Sequence, residues 1–104
     1  MKKLGPVLET LLRRHNLWYG YKQYLLVESW DSIVGPALAE VTKAEAIREG
    51  VMRVNVKDSV WSYHLSMMKP KLIKKLNTYA ECRMVRDIYF VIGEIENEGT
   101  EIKK

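Results

Sequence analysis

Lys69, Lys71, Lys74 and Lys75 crowd one short stretch of the sequence, and Arg83 and Arg86 follow soon after it. Such side chains stay protonated at neutral pH, and each can neutralise a phosphate without reading a base. The chemistry they suggest is electrostatic attachment to a polyanion, with an affinity that falls steeply as salt rises. A second group is spaced differently. Arg53, Asn55 and Lys57 alternate with apolar residues, and Tyr89 and Val91 alternate within a later apolar run. Alternation puts each set on one face of a strand. A ring among cations is the usual platform for a single nucleic-acid strand, with the base stacked on the ring and the cations holding the backbone. The plainer reading makes the lysines a solvated helix face, and makes Tyr89 a ring that covers a sheet edge or meets a protein partner.

Catalysis finds little to work with. A nucleophile needs a base against it, and acid–base work needs a pair of tuned titratable groups. His15 and His64 are the two histidines. His15 reads as the cationic end of a helix, and His64 as a helix-surface residue beside a buried stripe. Cys82 with two distant histidines makes no metal set, so Cys82 is expected as a small packed residue. The six glycines are scattered, with none of the spacing of a phosphate-cradling loop. The expectation is a non-enzyme with no cofactor, no metal and no small-molecule substrate.

The elements that must position these residues follow from periodicity. Leu4, Val7, Leu8, Leu11 and Leu12 recur at helical intervals, with Pro6 suited to a first turn, so a helix is expected over about residues 5 to 14. The stretch LWYGYKQY reads equally as a loop or as part of the next helix. From about Gln23, Leu26, Trp30, Ile33 and Val34 share one helical face, and Gly35-Pro36 ends it and opens a short turn holding Leu38 and Val41. The period then changes. Met52, Val54 and Val56 alternate with polar residues, and Glu49-Gly50 sits where a hairpin turn belongs. Asp58 or Ser59 would cap a long helix whose buried stripe is Trp61, Leu65, Met68, Leu72 and Leu76, interrupted at Pro70. Lys71, Lys74 and Lys75 fall on the opposite side of it. A last strand runs through MVRDIYFVI, with Ile88, Phe90 and Ile92 inward.

The order ααββαβ predicts an α+β domain over residues 1 to 93, with a three-stranded sheet covered by helices on one face. Residues 94 to 104 are polar and are expected as a flexible tail. A chain of 104 residues, 47% apolar and 29% charged, suits one core. Its formal net charge is +4, and the excess lies in residues 41 to 93, where ten Lys/Arg face five Asp/Glu. A lone cysteine excludes an intramolecular disulfide and suits a reducing, cytoplasmic setting. The apolar positions near the N-terminus are spaced helically and broken by charges, unlike a signal peptide, and no segment is long and apolar enough for a membrane partner. Trp30 and Trp61 both fall on buried stripes and are expected in the core.

Taken in order, Trp30, Ile33-Val34-Gly35, Leu38-Ala39, Glu49-Gly50, the run SVWSYHL at 59 to 65 and Lys75-Leu76-Asn77 form a pattern that resembles the DciA family of bacterial proteins. The likeness extends over about residues 4 to 92. It implies a KH-like α+β domain, similar to the N-terminal domain of the replication initiator DnaA. It also implies a DNA-replication accessory protein that binds DNA, single- or double-stranded and without sequence specificity, and contacts the replicative helicase DnaB to assist its loading. Among the cations read above, Lys69, Lys71, Lys74, Lys75, Arg83, Arg86, Arg53 and Lys57, with Tyr89, are the residues expected at such an interface. KH domains that bind RNA clamp the backbone with a GxxG loop, and no GxxG occurs here. Two other readings are an interaction adaptor that uses Tyr89, Val91 and the LWYGYKQY segment without nucleic acid, and a KH-like RNA-binding module.

Overall fold

The strict alternation at residues 52 to 56 builds the centre of the molecule. In the computed structural model, which describes residues 5–93 and 95, Met52, Val54 and Val56 are fully buried and Arg53 is exposed. They belong to β2 (Val51–Val56), the middle strand of a three-stranded sheet. β1 (Thr42–Arg48) lies antiparallel on one side, and β3 (Asp87–Ile92) lies parallel on the other. Glu49 and Gly50 join β1 to β2 at φ values of 52° and 83°. Two successive positive φ values match the primed turn whose twist suits a two-residue hairpin.

Gly50 is there for a second reason. A Cβ on it would stand 3.0 Å from Arg86 Cγ, besides sitting at positive φ. Gly50→Ala is therefore expected to cost about 1 to 2 kcal/mol, read as a fall in Tm of roughly 5 to 10 °C.

A parallel neighbour for β2 requires a crossover connection, which two helices supply. Asp58 Oδ1 accepts the Trp61 backbone N–H at 3.0 Å and caps α5 (Ser59–Met67). Pro70 cannot continue that helix. The chain breaks at Met68 and restarts as α6 (Lys69–Ala80), with the proline in its first turn, where no N–H is needed. Before the sheet come α1 (Pro6–Arg14), α2 (Trp18–Glu28), α3 (Trp30–Val34) and α4 (Pro36–Ala39).

Leu26, Trp30, Leu65, Leu72 and Leu76 close over Met52, Val54, Val56 and Ile88 in one core. The covering helices thus lie on one face of the sheet, and the architecture is α+β with the expected order and a layout compatible with a KH-like fold. Trp30 is 1% exposed. Its indole N–H donates to Thr42 Oγ1 at 2.8 Å, and that hydroxyl donates onward to the Leu38 carbonyl at 2.7 Å. The pair ties α3 and α4 to β1 and leaves neither buried group without a partner.

Four expectations change. The aromatic segment, left open between a loop and the next helix, is helical, with α2 starting at Trp18, but the helix breaks at Ser29 (φ −97°, ψ 4°) instead of running on to Val34. Trp61 is only partly buried, its ring edge-on to the exposed His64 at 5.7 Å. Ile92, expected to face inward, is 55% exposed as the last residue of this edge strand. Cys82 is exposed rather than packed. Glu81 (φ 63°) closes α6 in a left-handed conformation, with Glu81 N–H bonded to Thr78 O and Cys82 N–H to Asn77 O. This is the Schellman arrangement, and it turns residue 82 off the helix and out of the core. The tail expected at 94 to 104 lies, apart from Ile95, outside the described residues.

Candidate nucleic-acid interface

The cations singled out in the sequence fall on three separate surfaces. The first is the outside of α6. At about 100° per residue, Leu72, Leu76 and Ala80 form a buried stripe, and Lys71, Lys74 and Lys75 project away from it, exposed. The described residues contain two ion pairs, Arg13 with Glu9 and Lys69 with Asp87, so these three lysines face solvent without a carboxylate partner among them. Lys69 is different. It lies toward β3, with its Nζ 3.2 Å from Asp87 Oδ1. The Ile88 backbone N–H, donating to the same oxygen at 2.9 Å, and then the Lys69 ammonium hold the Asp87 carboxyl below the usual carboxylate range. Lys69 is thereby occupied within the fold.

The second surface is the sheet face opposite the core, which none of the described helices covers. The parallel register sets Arg53 beside Tyr89 and Asn55 beside Val91, while the antiparallel register sets Ala46 beside Arg53 and Lys43 beside Asn55. Lys57 follows directly after β2 and is exposed. Glu45, Arg48, Val51, Arg53, Asn55 and Tyr89 line a shallow depression of about 490 Å³ on this face. Asn55 Nδ2 donates to Glu45 Oε2 at 2.8 Å and fixes one carboxylate among the cations.

Lys43 and Arg48 belong to this surface but escape a reading by alternation. In a regular strand, positions 43 and 48 point to opposite faces. A bulge between Ala44 and Ala46 inserts one residue and restores both to the open side.

The third surface is a corner at the β1–β2 turn. Arg86 Nε donates to the Glu49 carbonyl at 2.9 Å, and its side chain lies over Gly50. Arg83, Tyr19 and Asn77 join it around a cavity of about 500 Å³. Asn77 positions this loop, donating to Val85 O at 2.9 Å and accepting from Met84 N–H at 3.0 Å and Val85 N–H at 2.8 Å. Asn77→Ala removes three bonds worth about 1 kcal/mol each before water replaces part of them. A loss of about 2 kcal/mol is expected in denaturant unfolding.

The LWYGYKQY segment, now the start of α2, divides its residues. Tyr19 and Tyr24 are exposed, while Trp18 packs beneath Arg13, whose guanidinium carbon is 4.3 Å from the ring centroid. Lys22, which sequence reasoning passed over, is buried, and its Nζ donates to the Ala80 carbonyl at 2.8 Å. It satisfies an orphan carbonyl at the end of α6, a pairing between distant elements that leaves no local signal. Among the described residues no group of three or more His, Cys, Asp or Glu is placed to hold a metal ion. None of their helices is long and apolar enough to cross a membrane.

The fold and this exterior define a small KH-like α+β domain with cationic surfaces on more than one side. The chain belongs to the DciA family: the model of that family, described as the Dna[CI] antecedent, matches residues 3–90. This is a bacterial family associated with replicative-helicase loading. Among curated relatives, the chain is 25% identical over 73 residues to a UPF0232 protein of Mycolicibacterium paratuberculosis, covering 70% of this chain and 40% of that protein. It is 22% identical over 85 residues to a UPF0232 protein of Mycobacterium tuberculosis, covering 82% and 46%. To a UPF0232 protein of Mycobacterium ulcerans it is 26% identical over 74 residues, covering 70% and 39%. The chain spans less than half the length of these relatives.

Proposed function

We propose that this chain is a DNA-replication accessory protein that binds DNA without sequence specificity and contacts the replicative helicase DnaB to assist its loading. The observation that carries the DNA part is the row Lys71, Lys74 and Lys75, exposed on the outer side of α6 with no carboxylate partner among the described residues. Such a row neutralises successive phosphates and reads no base. Family membership supports the helicase part. The chemistry is that of a binding protein.

Size-exclusion chromatography of the chain with the cognate helicase, with and without DNA, tests the partner, and co-elution is the expected result. Fluorescence anisotropy with labelled oligonucleotides across a salt series tests the DNA. Retention of a protein partner after nuclease treatment, with no oligonucleotide bound at low salt, would favour the adaptor reading, to which exposed Tyr19, Tyr24 and Tyr89 lend themselves.

A further inference from the structure

We propose that the open face of the sheet is a separate binding site for single-stranded DNA, with Tyr89 as the surface on which a base stacks and Arg53 and Arg48 as its phosphate contacts. The inference rests on the reading that the chain binds DNA, and it assigns one form of DNA to one surface.

The geometry is specific. Tyr89 is 61% exposed in the middle of an edge strand, on the side away from the core. Among the described residues the ring is left mostly open to solvent. Arg53 is its direct neighbour across the parallel ladder, about 4.8 Å away in the strand-to-strand direction. Arg48 lines the same depression one row further along. Val51 and Val91 supply apolar floor on either side of this row.

Charge favours an anionic partner over a basic or neutral one. Lys43, Arg48, Arg53 and Lys57 stand on this face against Glu45 and Asp87. Asp87 is already paired with Lys69, and Glu45 is bonded to Asn55.

The ring decides the form of the DNA. A stacked ring gains only from a base whose face is free, and in a duplex those faces are covered by neighbouring pairs. The lysines of α6 offer charge alone, and duplex and single strand satisfy them alike. Because Leu72 and Leu76 of α6 pack on the covered face of the sheet, those lysines point away from Tyr89. The two surfaces are therefore on opposite sides of a two-layer domain, and variants can address them one at a time.

The test is fluorescence anisotropy of the full chain with a labelled oligo-dT, a duplex of equal length and the matching oligo-rU. The variants are Tyr89→Ala, Tyr89→Phe, Arg48→Ala with Arg53→Ala, Glu45→Gln, and the triple Lys71, Lys74, Lys75 to Glu. Tyr89 and both arginines are exposed, so circular dichroism and Tm should match the wild type.

Tyr89→Ala is expected to weaken oligo-dT binding about fivefold to a hundredfold with little change for the duplex, while Tyr89→Phe keeps the stack and the affinity. Losing both arginines should lower the oligo-dT salt slope by about 1.4. Glu45→Gln should tighten binding. Oligo-dT affinity unchanged in Tyr89→Ala and in the arginine double variant, but lost in the lysine variant, would overturn this site and leave DNA binding on α6 intact. Tighter binding of oligo-rU than of oligo-dT would overturn the assignment to DNA. No binding of any oligonucleotide by the wild type would remove both this site and the broader reading.

Discussion

Reversing Lys71, Lys74 and Lys75 to glutamate is expected to lower duplex affinity by about 10² to 10³ at 0.1 M salt. Each phosphate contact contributes about 0.9 to the slope of log K against log salt, so three lost contacts remove about 2.7 decades at that concentration. The same arithmetic makes the difference shrink toward nothing near 1 M salt, which distinguishes lost phosphate contacts from damage to the fold. The three side chains are exposed on α6, away from the buried stripe of Leu72, Leu76 and Ala80. Stability should therefore stay near that of the wild type, as exposed charges contribute little to it. An anisotropy salt series with wild-type slope and affinity in the variant would remove the outer side of α6 from the interface.

Emptying the site of Trp30 has the largest expected effect on folding. Its ring is 1% exposed and packs in the core between the helices and the inner sheet face. Trp30→Ala is expected to cost about 3 to 5 kcal/mol for the lost contacts and the cavity. Against a total of about 5 to 15 kcal/mol for a domain of this size, that is at least about a fifth of the stability, and Tm should fall by roughly 20 °C. Trp30→Phe separates the two roles of the side chain: it keeps a ring but gives up the bond to Thr42 Oγ1, for a loss of about 1 to 2 kcal/mol. Trp61→Ala serves as the comparison. That ring is partly buried and edges against exposed His64, so about 1 to 2 kcal/mol is expected from the smaller area lost. Denaturant unfolding of the three variants gives the order, and a Trp61 loss equal to that of Trp30 would contradict the packing described.

The two tryptophans show where periodicity stops being informative. Both lie on the apolar side of their own helix, and a helical wheel treats them alike. Trp30 meets the core and the start of β1, whereas Trp61 packs only partly against that core, its ring edge-on to exposed His64. How deep an apolar stripe is buried depends on what the partner element brings, and that is set by contacts distant in sequence. Cys82 makes the same point. A small apolar residue between a helix and a strand has every reason to pack, yet the left-handed turn at Glu81 directs it outward. Lys22 is the converse, a cation placed inside because the end of α6 presents it with a carbonyl.

Among the interface residues, spacing alone put Lys71, Lys74 and Lys75 on one side of a helix and Arg53 and Tyr89 on one side of their strands, and the sequence also determined the hairpin turn at Glu49-Gly50, the Asp58 cap and the break at Pro70. These are local matters of backbone sterics and of the two periods, 3.6 and 2. Only the tertiary structure decided that Arg53 stands next to Tyr89, that a bulge brings Lys43 and Arg48 to the same face, that Lys69 is taken up by Asp87, and that the lysine row and the tyrosine face away from each other. Register and layer order arise from closing one core out of segments far apart in the chain, and no single element carries that information within its own residues.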